Sequence, residues 1–209
     1  IGGEDEENPV TNLDGLKNLV SVRCDLTITA AYTGETLAGL ENLTACESLR
    51  IGSAAHPNET LRQLSLPALK EIKGDLCVYG TALQTADFKS LQSVAGHFVL
   101  QSDALLQLTA DELTTVAGNM TLIGTTADEA KAPCEQMYFP KLQRIDGTLT
   151  LSRFDRLSGL GTTFGVLTQA GALRYEHLAL ANTFEFPLIE TTGNITVCLL
   201  YTSDAADDR

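Results

Sequence analysis

The chain has 209 residues, 44% of them hydrophobic, which is enough to bury one sizeable core. A formal charge of −13 argues against a nucleic-acid partner, because phosphate binding needs clustered Lys and Arg. No apolar run approaches the roughly 18–20 residues that span a bilayer, so no membrane insertion is expected within the chain, and an anchor would have to lie in flanking segments.

The sequence opens at Ile1 rather than Met, so the start of the protein is expected upstream. Residues 1–10 read as an acidic linker or the entry to a cap. The stretch GGEDEENP at 2–9 has no periodicity, and its carboxylates lack the alternating spacing and glycine of a calcium loop.

From Thr11 onward one phrase returns eight times: apolar, two variable residues, apolar, one variable, glycine, then an alternating strand. Its clearest copies are LKEIKGDLCV from Leu69, LQSVAGHFVL from Leu91, LTTVAGNMTL from Leu113, LQRIDGTLTL from Leu142 and LIETTGNITV from Leu188. Three weaker copies complete the set. LVSVRCDLTI from Leu19 carries Cys24 in the glycine slot, a shortened copy runs Leu43, Cys46, Leu49, Ile51, and VLTQAGALRY from Val166 keeps Gly171.

A period of about 20–30 residues predicts a solenoid in which each coil buries its apolar face against the next. The predicted fold is mainly β, a right-handed parallel β-helix of about eight coils over residues 11–197. Aromatics make up 6% of the chain and Trp is absent, so the core is expected to be aliphatic. Pairs such as Leu76/Val78 and Leu149/Leu151 should point inward. Between strands, apolar residues spaced by three (Leu37, Leu40, Leu43; Leu61, Leu64; Leu105, Leu108; Leu157, Leu160) predict short 3₁₀ or helical returns. Pro67, Pro140 and Pro187 are expected to hold an extended approach to the next coil. The glycine before each strand predicts a tight bend that a side chain would obstruct.

The last phrase ends at Val197. The string CLLYTSDAADD that follows is similar to a translated sequencing-library adapter, so residues 198–209 are read as a non-native tail.

The I-x-G-x-L-x-V/L/I strings around Gly74 and Gly147, FPKL from Phe139 and LSLPAL from Leu64 resemble the receptor L domain, over about residues 13–197. The resemblance implies a secreted or surface-attached module that binds a protein or glycan ligand, or builds a cell envelope. It carries no catalytic residue and no cofactor, and no metal site is expected. The expected function is therefore non-enzymatic. The alternatives are a carbohydrate-active β-helix enzyme and an ice-binding solenoid.

Cys24 and Cys46 belong to neighbouring coils, and a disulfide between them is the preferred pairing, with two free thiols as the alternative. A Cys77–Cys134 bond is a weaker candidate. N-glycosylation sequons occur at Asn42, Asn58, Asn119 and Asn194; in a secreted eukaryotic protein Asn58, in the accessible polar stretch HPNET, is the one expected to carry a glycan, and in a bacterial one all four are simply polar residues.

The candidate binding face is the outer surface of the repeated strands. One column reads Asp25, Asp75, His97, Asn119, Thr148, Ala172, Asn194. Its neighbour reads Thr27, Arg50, Cys77, Val99, Thr121, Thr150, Arg174, Thr196. A lyase would need acids converging across coils, and an ice-binding array would need a Thr column without the interruptions at Arg50, Val99 and Arg174.

Overall fold

A computed structural model describes residues 1–2, 9–125, 132–154, 156–157, 159–178 and 186–198. The acidic stretch 3–8, part of the loop 125–138 and the adapter-like tail beyond Cys198 lie outside the described residues.

The chain is a parallel β-solenoid. Six of the repeated phrases fold into two short strands flanking the bend, the copies from Leu142 and Val166 run through it as the single strands Arg144–Ser152 and Gln169–Glu176, and equivalent strands pair in parallel from coil to coil. The strips Leu26–Ile28, Leu49–Ile51, Leu76–Tyr79, Phe98–Gln101 and Met120–Ile123 stack in sequence order. They continue into Arg144–Ser152, Gln169–Glu176 and Ile195–Cys198. Eight rungs, separated by seven turns, therefore form one 14-stranded sheet among the described residues. Period-two alternation explains the facing: Leu76, Val78, Phe98, Leu100, Met120, Leu122, Leu149 and Leu151 are all fully buried.

The apolar spacing of three is mostly not helical. Strands Gln63–Ser65, Thr85–Asp87, Gln107–Thr109 and Gln136–Tyr138 form a second, four-stranded parallel sheet on the return side. The chain then turns a corner through a three-residue hydrogen bond, as in Leu69 N–H to Leu66 O (3.2 Å), Leu142 to Phe139 (3.3 Å) and Ile189 to Phe186 (3.3 Å). A β-turn and a 3₁₀ turn share that i to i+3 bond, so both put residues three apart on the same inner face. Pro67, Pro140 and Pro187 occupy the second position of these turns, where their fixed φ is suited to the bend. They start the corner rather than an extended run. A helical return is observed at Leu160–Thr163, and Asp14–Leu16 forms a 3₁₀ turn near the start.

Two further corrections concern the core and the register. An aromatic row runs through the aliphatic interior, with ring centroids 5.6 Å apart for Phe139–Phe164 and 5.9 Å for Phe164–Phe186. At the corner between Phe88 and Phe139 the row meets Ala110, and Phe98 from the long sheet fills the gap, 6.0 and 6.5 Å from its two neighbours. In the copy from Val166 the inward residues are Leu167 and Ala170, one place later than the phrase suggests. That coil is one residue short before Gly171, and the strand Arg144–Ser152 absorbs the difference between Ile145 and Thr148.

Candidate binding face

The register aligns one outer column of the long sheet from end to end. Thr27 aligns with Arg50, Arg50 with Cys77, Cys77 with Val99, and the series continues through Thr121, Thr150 and Arg174 to Thr196. Threonine and valine suit an exposed pleated surface on their own account. Arg50, Cys77, Val99 and Arg174 break the threonine array.

The first column has a structural task. Asp75 Oδ1 accepts the His97 backbone N–H at 2.9 Å, His97 Nδ1 accepts that of Asn119 at 2.9 Å, and Asn119 Oδ1 accepts that of Thr148 at 2.9 Å. Ser48 Oγ begins the series by accepting from Asp75 N–H at 3.3 Å. Each side chain thus satisfies a backbone donor one coil further on, at the glycine bend where the ladder of strand hydrogen bonds is interrupted. Accepting through Nδ1 places the proton of neutral His97 on Nε2.

The charges of the face are paired as well. Arg50 bridges two coils, with Nη2 at 3.2 Å from Asp75 Oδ2 and Nε at 3.7 Å from Asp25 Oδ2. These side chains are 29–50% exposed, so the pairs contribute little to stability. Their effect is to keep the two carboxylates one coil either side of a guanidinium. Arg174 similarly holds Glu176, Nε to Oε1 at 2.7 Å.

The cysteines are free thiols. The Cys24–Cys46 disulfide expected from the sequence is not formed, for a reason visible in the register. Cys46 aligns with Val22 and is buried, occupying the apolar slot of its phrase, whereas Cys24 occupies the glycine slot and is exposed. Burial pushes the Cys46 thiol up to about 11, with the Asp25 charge adding to it. Burial likewise raises Cys134, to about 12. Cys77 is half-buried on its strand, raised first by burial and then by Asp75, with Arg50 opposing. It is not bonded to Cys134.

The sequons divide sharply. Asn42, Asn119 and Asn194 are exposed, but Asn58 is fully buried. Its Nδ2 donates to Tyr32 O (2.8 Å) and Thr29 O (3.4 Å), and its Oδ1 accepts from Leu61 N–H (2.7 Å) and Thr60 N–H (3.1 Å). In the folded chain the position expected to carry a glycan leaves its amide nitrogen no room for one.

Among the described residues, no three His, Cys, Asp or Glu side chains gather as a metal site, and no helix is long and apolar enough to cross a membrane. Two features escaped the sequence reading: the buried Asn58 and the outer face of the return sheet. Comparison with family models, with curated proteins and with solved structures returned no match.

Proposed function

We propose that this chain is a non-enzymatic module of receptor L domain type, acting at the cell surface or outside the cell in binding, adhesion or envelope structure. The observation that carries the reading is the engagement of the side chains on the long sheet best suited to chemistry. Asp75 gives one oxygen to the His97 backbone and the other to Arg50, and His97 uses Nδ1 on the next coil. These groups hold coils together, and the face they leave runs over eight rungs and is mixed in character. Such a surface suits docking, where area and register matter more than one reactive group.

The test is to incubate the purified protein with a panel of polysaccharides and follow reducing ends, alongside surface-capture binding to the same panel and to cell-envelope preparations. Binding without turnover is the expected result. Turnover that disappears in Asp75→Asn would overturn the proposal in favour of a carbohydrate-active enzyme.

A further inference from the structure

The return sheet carries a second outer face, with a more uniform chemistry than the first. Its strands align Gln63, Thr85, Gln107 and Gln136 in one column. Ser65, Asp87 and Thr109 align beside them, and that column ends at Tyr138. All of these side chains can donate or accept a hydrogen bond, and the glutamines do both. On the long sheet Cys77 and Val99 interrupt the threonine column, and the polar column beside it spends its acceptors on the backbone of the next coil.

Two shallow clefts lie on this face. One of 290 Å³ is lined by Thr85, Asp87, Gln107 and Thr109, with Lys89 and Asp111 at one end. Another of 220 Å³ follows the last strand past Tyr138 towards Gly159 and Thr162. The exposed large hydrophobics point to the same place. Among the described residues, they are Ile1 and Val20 at the start, Leu188, Ile195 and Val197 in the last rung, and two in the body of the solenoid. Those two are Leu106, 50% exposed just before the third return strand, and Tyr138, 42% exposed at the end of the fourth.

A sugar ring presents hydroxyls around its edge and C–H patches on its faces. Planar amides and a carboxylate match the first, and an exposed aromatic or leucine matches the second. Asp87 has the required spare capacity. Its Oδ1 accepts both Lys89 N–H (3.0 Å) and the Thr109 hydroxyl (3.1 Å), which orients the carboxylate and leaves Oδ2 for a ligand hydroxyl. The local charge selects the kind of saccharide. Asp87 and Asp111 outnumber Lys89 in the cleft, and the whole chain carries −13, so a polyanion is repelled.

We propose that the outer face of the return sheet is a binding strip for a neutral oligosaccharide chain laid across the coils. Gln107 and Asp87 take its hydroxyls, and Tyr138 stacks against one ring. This rests on the binding-module reading above and adds to it a ligand class and a location.

Titration calorimetry with cellohexaose, laminarihexaose and mannohexaose, with polygalacturonate as the anionic probe, tests it. At least one neutral hexasaccharide is expected to bind, and polygalacturonate is not. Gln107→Ala and Tyr138→Ala, both at exposed side chains, should each weaken binding about tenfold, the factor carried by one hydrogen bond or one ring contact, while Arg174→Ala on the long sheet leaves it unchanged. Loss with Arg174→Ala alone would overturn the strip and leave the binding module standing on its other face. Binding of no neutral hexasaccharide, or equal binding of polygalacturonate, would also overturn the strip, with the module then judged by protein and envelope capture. Turnover of a hexasaccharide would instead count against the module, and the Gln107 and Tyr138 variants would still decide where the sugar sits.

Discussion

Replacing Asn58 with Ala should cost the fold more than almost any other polar substitution in the chain. The side chain is fully buried and makes three hydrogen bonds of 2.7–3.1 Å, to Leu61 N–H, Tyr32 O and Thr60 N–H. Truncation does not affect these partners equally. Tyr32 O keeps the Thr60 hydroxyl at 2.9 Å, and Thr60 is only partly buried, so its N–H can turn to water. Leu61 is 1% exposed, and its N–H would be left buried without an acceptor. Three net bonds at roughly 1 kcal/mol each, plus the desolvation penalty of one orphaned amide, give about 4 kcal/mol. Asn58→Asp keeps the acceptor but places a negative oxygen against the Tyr32 carbonyl, so it should be at least as damaging at neutral pH and partly recover when the carboxyl is protonated in acid. Urea unfolding followed by far-UV circular dichroism gives the global cost. Amide hydrogen exchange at Leu61 gives the local one, which a stack of coils that unfolds piecemeal would not hide. A loss within about 1 kcal/mol and unchanged protection at Leu61 would refute the reasoning.

Three other outcomes follow from the same geometry. At Gly118 a Cβ would stand 2.6 Å from Gly96 O, and at Gly147 it would run into Asn119 Oδ1 and lie 2.8 Å from Asn119 N, so Val at either should cost about 3 kcal/mol or more by prying coils apart. Gly15, with nothing within 4 Å, should accept Ala, and a melting temperature for Gly118→Val within ~1 °C of the parent would sink the crowding account. Leu149→Ala, at a fully buried site, should cost about 3 kcal/mol, whereas Ile195→Ala, 61% exposed in the last rung, should cost under about 1 kcal/mol; equal urea midpoints would contradict the burial assignment. A thiol reagent should label exposed Cys24 and Cys198 in the folded protein and reach Cys46 and Cys134 only on unfolding, as mass spectrometry of the labelled peptides would show. The last two stay protonated to about 11 and 12 when folded but ionise from about pH 8.5 when unfolded, so the stability they confer is present below that pH and lost as it rises. Cys46→Ala should flatten the alkaline fall of the urea midpoint, and an unaltered slope would count against it.

What was legible in the sequence was whatever repeats locally. Leu76 and Val78 face inward because strand side chains alternate, and the coils could be counted because the alternation restarts after each glycine. The return sheet was harder to read. A spacing of three is common to a 3₁₀ turn and a β-turn, and Pro67 and Pro140, which suit an extended approach as well as the second position of a turn, did not separate the two. Asn58 could not be read at all. HPNET has the composition of a surface loop, and its burial is imposed by carbonyls 26 and 29 residues upstream. The Cys24–Cys46 pairing failed on a smaller scale. The second copy is one residue short between Cys46 and Leu49, which puts Cys46 in the apolar slot and Ser48 where the glycine belongs.

The glycine slot and the column that follows it turn out to be one device. Asp, His and Asn look unrelated in sequence, yet Asp75, His97 and Asn119 each place one acceptor atom at the same point, over the backbone N–H of the next coil. That atom occupies the space a Cβ would need. A side chain at Gly96 would meet Asp75 Oδ1, one at Gly118 would lie 2.8 Å from His97 Nδ1, and one at Gly147 would meet Asn119 Oδ1. None of these glycines has a positive φ, so close approach, not backbone freedom, is what excludes other residues there. The same logic explains the departures. Ser48 stands in a glycine slot and turns its hydroxyl into the acceptor for Asp75 N–H. Ala172 offers no acceptor, and Gly193 is hemmed in by the backbone carbonyl of Gly171 instead. A column that reads as a row of ligand contacts is therefore the seam of the solenoid, its acceptor atoms spent on the backbone of the next coil.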